Sequence, residues 1–183
     1  PTTIYFREVA ELLTVEKISV PGLTNIDQMI ENCPNVTYIN VSDLDVSQVT
    51  SMYRSLRKCN NLTTINVTGW DTSKVTSLYG TFGNNPKLET IIGLEGWNVE
   101  NVETFREICT GNLVLQAFNI GNWRNNKNTT TYGMFYNCRA LTELDMGGFD
   151  MGSLTSTTHM FTETRNLTRF NSPTNIRMSI GFN

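Results

Sequence analysis

Histidine occurs once in this chain, at His159, and no two cysteines stand in C-x-x-C spacing. A Ser-His-Asp arrangement therefore has little support, and zinc ligation lacks its paired spacing. Charge is sparse: 14 Lys and Arg face 17 Asp and Glu, a net of -3. A nucleic-acid surface needs clustered cations, so no nucleic-acid partner is expected. No apolar run approaches the ~20 residues of a membrane helix, so no membrane span is expected in this segment. Hydrophobic residues make up 39%, enough for a core but low for a compact enzyme. No signal peptide is evident, and the chain begins at Pro1 rather than Met. Further protein, a neighbouring domain or more repeats, is expected before Pro1. What the chain has in excess is Asn and Thr, about a quarter of all residues. Small, polar, β-tolerant residues suit a stacked, largely extended fold.

The chain also repeats itself. WDTSKVTSLYGTF, from Trp70 to Phe82, echoes LDVSQVTSMYRSL, from Leu44 to Leu56, at a spacing of 26 residues. Around the echo the apolar positions are Val49, Met52, Leu56, Cys59, Leu62, Ile65, Val67 and Trp70. One period earlier stand Leu23, Ile26, Ile30, Cys33, Val36, Ile39, Val41 and Leu44. Later copies carry Val75, Leu78, Phe82, Leu88, Ile91, Leu94 and Trp97, then Val102, Phe105, Cys109, Leu115, Phe118, Ile120 and Trp123. Phe135, Cys138, Leu141, Leu144, Met146 and Phe149 follow, and Leu154, Phe161, Leu167 and Phe170 close the series. Ile4, Ala10, Leu13, Val15 and Ile18 extend it backward. The boundaries are a partial repeat 1–20 and repeats at about 21–45, 46–71, 72–98, 99–124, 125–150 and 151–175, all in one domain, 1–183. One copy is longer by a residue at Ile92-Gly93; a bulge and a break in strand pairing near Ile91 to Leu94 are expected there.

Each copy has two internal periods. Val49, Met52 and Leu56 are spaced as one face of a short helix. Leu62-x-x-Ile65-x-Val67 ends in the alternation of a half-buried strand. One such unit cannot bury its own apolar face, so the copies must stack. The expected fold is an α/β solenoid of the leucine-rich repeat type. Its parallel strands would line a concave face, and short helices or turns a convex one.

WDTSKVTSLYGTF, preceded by CNNLTTINVTGWD, resembles the repeat of the BspA-like bacterial surface proteins, a leucine-rich repeat subfamily with a W-D-T-S-x-V-T-x-M-x-x-M-F-x-x-C-x-x-L pattern. The resemblance spans nearly the whole chain. It is closest at 44–82 and at YGMFYNCRALTELDMGGFD, and weaker at 99–130, where Arg124 replaces Asp and Asn128 replaces Val. It implies a non-enzymatic protein, on a bacterial cell surface or secreted, that adheres to host proteins or other cells. Similar modules stand at the host-recognition tips of bacteriophage tails. The family shares no binding residues, so none carries over, and no cofactor is implied.

Any site must come from this chain. Cys33, Cys59 and Cys138 share a repeat position with Asn85 and Asn112, which fits a small inward side chain bonded to neighbouring backbone; free buried thiols are expected, with a Cys33–Cys59 disulfide the alternative. Trp70, Trp97, Trp123 and Phe149 form a column that fits a core spine better than a sugar-stacking stripe. Asp45, Asp71 and Asp150 fit turns and caps better than calcium ligation. Sequons at Asn35, Asn61, Asn66, Asn128 and Asn166 read as by-products of an Asn/Thr-rich array. The outward strand residues remain. Tyr38, Asn40, Thr64, Asn66, Thr90, Asn119, Glu143, Asp145, Arg169 and Asn171 are the candidate binding residues for a protein or glycan ligand. The Asn/Asp row Asn40, Asn66, Asn119, Asp145, Asn171 runs down their middle. Tyr53, Tyr79 and Tyr132, on the other side, are the second candidate surface.

Overall fold

A computed structural model describes residues 2–176. Ten strands of two or three residues are present: β1 (Thr2–Thr3), β2 (Thr14–Val15), β3 (Leu23–Asn25), β4 (Ile30–Glu31), β5 (Tyr38–Asn40), β6 (Leu56–Arg57), β7 (Thr64–Asn66), β8 (Thr90–Ile92), β9 (Glu143–Asp145) and β10 (Arg169–Asn171). Every pairing is parallel. The chain winds as a parallel β-solenoid of stacked coils.

The strand face holds a four-stranded sheet in the order β2-β5-β7-β8 and a separate pair, β10-β9. Its phase follows the alternation read from the sequence. Leu62, Ile65 and Val67 are fully buried, while Thr63, Thr64 and Asn66 are half-buried on the outside. The register places Tyr38 beside Thr64, Ile39 beside Ile65 and Asn40 beside Asn66.

The helices expected at Val49–Leu56 do not form; the only helical element among the described residues is a 3-10 turn at Leu94–Gly96. Val49, Met52 and Leu56 are nonetheless all buried. Their segment is a chain of turns that hydrogen-bonds to the next coil. β4 pairs with β6, and single bridges join Ser51, Ser77, Thr104, Thr130 and Ser156 in series. Backbone bonds also run from Gln28 N to Tyr53 O, Arg54 N to Tyr79 O, Gly80 N to Arg106 O and Glu107 N to Tyr132 O, each 2.8 or 2.9 Å. Successive coils are thus bonded on two faces, at the ~4.8 Å spacing of a parallel ladder on both. A leucine-rich repeat curves because helices are wider than strands. Here both sides are extended, so the wide side that would make the strand face concave is missing among the described residues.

The turn chain needs left-handed residues. Gln28, Arg54, Glu107 and His159 have φ of 53–57°, and Gly80 and Gly133 occupy the same column at 65° and 57°. A second column holds Asn32, Lys58, Asn84, Gly111 and Asn137. The i, i+3, i+7 spacing mimics a helix because a coil with two left-handed kinks also returns those side chains to the core.

Asn and Thr are explained by the stacking. Thr37, Thr63, Thr142 and Thr168 each donate Oγ1 to the carbonyl of the preceding coil, as do Thr76, Thr129 and Thr155 along another edge. Inside, Asn85 Nδ2 donates to Leu56 O (2.9 Å) and Asn112 Nδ2 to Phe82 O (3.0 Å). Cys59 and Cys138 direct their thiols to the equivalent carbonyls, of Ile30 and Cys109. All four cysteines are free and buried. The Cys59 thiol is pushed up by the facing Cys33 thiol and by burial, so Cys33 is the first of the pair to ionise. The aromatic column is a stacked core spine: Trp70 and Trp97 lie 5.9 Å apart at 9°, and Trp97 and Trp123 lie 6.0 Å apart at 3°.

The assignments at both ends need correction. Val15 pairs with Ile39, a spacing of 24 rather than 26. The first coil is therefore two residues short, and Leu13, expected in the core, is 63% exposed while Ala10 is exposed. In the last described coil Phe170, also expected inside, is 40% exposed, and Phe161 and Leu167 are only partly buried.

Candidate binding face

The extra residue governs the strand face. β8 pairs regularly with β7 through Asn66 beside Ile92, so no bulge forms within the strand. The surplus is taken up just after it. Gly93 turns left-handed at φ 98°, and Leu94–Gly96 form the 3-10 turn. A Cβ on Gly93 would lie 2.5 Å from Thr68 Cα, so no other residue fits there. The break in pairing does occur, but on the far side: among the described residues β8 has no partner in coil 99–124. On the strand face that coil meets the next by a single bridge, Ala117 with Glu143.

Where the ladder is interrupted the strand face opens. A depression of about 630 Å³ is lined by Glu95, by residues 117–122, and by the strands β9 and β10. A second, of about 480 Å³, lies in the gap between Glu89–Ile91 and Val114–Asn119. They share Ala117 and Asn119. Six of the ten candidate residues line one or the other: Thr90 in the gap, and Asn119, Glu143, Asp145, Arg169 and Asn171 along the larger depression. All six are exposed. Arg169 pairs with Glu143, and Asn171 Nδ2 donates to Asp145 Oδ1 at 2.8 Å. Tyr38, Asn40, Thr64 and Asn66 lie apart from the depression, on the flat, half-buried part of the sheet.

The Asn/Asp row has a structural task that the sequence did not reveal. Asn40 Oδ1 accepts from Ser42 N and Oγ; Asn66 Oδ1 accepts from Thr68 N and Oγ1; Asp145 Oδ1 accepts from Gly147 N. Each closes the turn after its strand. The same device recurs in the acid column, where Asp45, Asp71 and Asp150 accept from the N–H two residues on. The row's position in coil 72–98 is taken by Ile92, 43% exposed. Asn119 makes no such turn bond. Gly121 stands two residues on from Asn119, as Gly147 does from Asp145, so the sequence carried no signal of the difference.

Sequons follow the same logic. Asn35, Asn61 and Asn166 donate Nδ2 to the carbonyls of Ala10, Pro34 and Arg139 in the preceding coils, and Asn128 is fully buried against Asn125.

On the opposite face Tyr53, Tyr79 and Tyr132 do align, and arginines intercalate. Arg54 lies over Tyr53 and Tyr79 at 4.9 and 5.6 Å, and Arg106 over Tyr79 and Tyr132 at 5.2 and 4.4 Å. The sequence reading missed Arg54 and Arg106; Arg54 directly follows Tyr53, and Arg106 takes the tyrosine position in coil 99–124.

Among the described residues no group of three or more His, Cys, Asp and Glu is placed to hold a metal, and no helix is long and apolar enough to cross a membrane. Neither a curated protein nor a solved structure matches the chain. A family model does, over residues 3–89 and again over 50–175, two overlapping matches as a stacked repeat would produce: the chain belongs to the family described as Mycoplasma protein of unknown function, DUF285.

Proposed function

We infer that the chain is a non-enzymatic binding module that recognises a protein or a glycan, displayed on a bacterial cell surface. The observation that carries this reading is the opened strand face. Five outward residues chosen from the sequence, Asn119, Glu143, Asp145, Arg169 and Asn171, line one depression beside the interrupted ladder. Its donors and acceptors, set around the half-exposed Phe170, suit many modest hydrogen bonds around an apolar contact. Stacked repeats commonly bind through such extended faces. The BspA-like repeat pattern adds support for surface display and adhesion, and the family membership is consistent with it.

A second reading is a structural one: a spacer that presents another module, or part of a bacteriophage tail. What favours it is that Asn40, Asn66 and Asp145 already serve the turns beside them. One experiment separates the two. The purified protein is applied to a glycan array and to a panel of immobilised surface proteins. Asn119→Arg combined with Glu143→Arg, neither of which closes a turn, should abolish capture without altering thermal unfolding by more than a few degrees. Tyr53→Ala with Tyr79→Ala should leave capture intact. Capture that survives the arginine pair and is lost with the tyrosines moves the site to the other face. Absence of any capture leaves the spacer reading standing.

A further inference from the structure

The left-handed column on the turn face carries side chains at Gln28, Arg54, Glu107 and His159 and none at Gly80 and Gly133. Each glycine leaves a notch one coil wide. The two notches differ in what occupies them. At Gly80 the space is filled from within the chain. Arg57 reaches over from the preceding coil, and a Cβ on Gly80 would lie 3.1 Å from Arg57 Nη1. Its guanidinium meets Glu107 Oε2 at 3.7 Å, and with the Asn84 amide oriented so that its oxygen faces Arg57, that oxygen accepts from Nη2 at 2.9 Å. At Gly133 the residue equivalent to Arg57 is Thr110, whose short side chain turns to Tyr136 O at 3.1 Å. The notch stays open. A Cβ there would meet only ordinary contacts, 3.5 Å from Glu107 Cγ and 3.7 Å from Tyr136 Cβ.

We propose that the Gly133 notch is a binding site for a guanidinium group, an arginine side chain of a partner protein, held by the Glu107 carboxylate and the rings around it. The cavity holds about 450 Å³. The Glu107 carboxylate lies on one wall, about 20% exposed. Its contacts to Arg57 and to Arg106 (3.4 Å) are long and use only part of its acceptor capacity. Asn137 stands where Asn84 stands for Arg57, four residues after the glycine. Three rings also line the cavity. His159 is edge-on to Tyr132 at 5.7 Å and to Tyr136 at 6.2 Å, a corner of π faces. A planar cation is attracted to such faces and hydrogen-bonds the carboxylate at the same time. The chain already makes this combination once, with Arg106 over the Tyr132 ring at 4.4 Å and against Glu107 at 3.4 Å; Arg54 makes the ring contacts alone. The site lies on the face opposite the depression and does not depend on the reading of that face.

The test titrates N-acetyl-arginine amide into isotope-labelled protein and follows amide resonances. Weak, saturable shifts are expected at Glu107, Gly133, Tyr136 and His159. N-acetyl-lysine amide should bind more weakly, and N-acetyl-aspartate amide not at all. Gly133→Arg places a guanidinium in the notch and should weaken binding at least about tenfold. The backbone permits it, since Arg, Glu, Gln and His already occupy this column. Tyr136→Ala, at an exposed ring, removes one wall and should weaken binding several-fold even if Gly133→Arg does not fold. Asn119→Arg on the strand face should have no effect. Shifts confined to other residues, stronger binding of the aspartate probe, no saturable shift up to about 0.1 M, or unchanged affinity in both notch variants would each overturn the assignment.

Discussion

Coils 21–98 and coils 99–150 are built from the same repeat and held in different ways. In the first three coils the strand face is a continuous ladder, β5 to β7 to β8, with threonine hydroxyls and inward Asn and Cys groups bonding coil to coil. In the later two the ladder shrinks to one bridge, and the core accepts Asn125 and Asn128 at positions that Thr72 and Val75 hold earlier. Asn125 Nδ2 finds Val99 O and Val102 O, but Asn128 Oδ1 has no partner. Yet the stack does not come apart. The tryptophan spine crosses the break at 3°, and the turn face continues through Ser77, Thr104 and Thr130. A coil is secured by its aromatic core and by two bonded faces, so one face can be given up locally. That surplus is what allows a depression to open in an otherwise regular wall.

The strongest way to break the comparison is to remove a side chain on which the regular half depends. Ile65→Ala, at a fully buried residue in the middle of the four-stranded sheet, should cost about 2–5 kcal/mol in denaturant unfolding. Thr64→Ala, half-buried on the outer side, should cost under about 0.5 kcal/mol. Equal losses would mean that the strand faces the other way. Gly93→Ala comes next. It forces a left-handed residue against Thr68 backbone at 2.5 Å, and about 2–4 kcal/mol should be lost. The loss should appear together with faster amide exchange in both Thr90–Ile92 and coil 99–124. A neutral Gly93→Ala would show that the junction between the halves is loose.

How much of this was legible beforehand depended on which signals have only one structural cause. The inward positions, the strand phase at Leu62-x-x-Ile65-x-Val67 and the aromatic spine follow from alternation and recurrence, and they were readable. The face of Val49, Met52 and Leu56 was not, because burial every three to four residues arises from a helix and equally from a kinked coil. Gly80 and Gly133, recurring beside Arg54, Glu107 and His159, were the only hint of a left-handed column, and the larger residues masked it. Alignment by apolar type also hid the short first coil, where Leu13 imitates an inward residue. At the candidate site the outward phase was readable but the depression was not. Asn40 and Asn119 look alike in sequence; one closes a turn and the other borders a cavity beside the interrupted ladder.

A deletion sharpens the same point. Removing Gly93 restores the 26-residue period, with Ile91, Ile92 and Leu94 matching Ile65, Asn66 and Val67. β8 should then pair with coil 99–124. Amides of Phe118 and Asn119 should exchange at least about tenfold more slowly, the equivalent of one or two backbone hydrogen bonds. The depression should close, and capture by the strand face should fall with it. Unchanged exchange at these amides would place the cause of the break within coil 99–124 itself.

The smallest expected effect is a difference in acid sensitivity. In the regular half Asp45 and Asp71 close their turns, and the Ser47 and Ser73 hydroxyls and N–H groups hold both carboxyls below the usual carboxylate range. A group whose folded value lies below its unfolded one stabilises the fold above the unfolded value, about 3.9 for Asp, and loses that contribution as pH falls through the folded value. The equivalent position in coil 99–124 is Arg124, which donates Nη1 to Gly121 O and Trp123 O and has no proton to gain in this range. Lowering pH from 5 to about 2 should therefore speed amide exchange at Ser47 and Ser73, after correction for intrinsic rates, and leave Asn126 unaffected. Asp71→Asn keeps the acceptor, as Asn98 does one coil later with Glu100 N at 3.0 Å. That variant should remove the acid response at Ser73, keep it at Ser47, and shift the melting temperature at pH 7 by about 1 °C or less. An acid response at Ser73 that persists in Asp71→Asn would assign it to a different group, and one shared equally by the Arg124 turn would erase the distinction between the two halves.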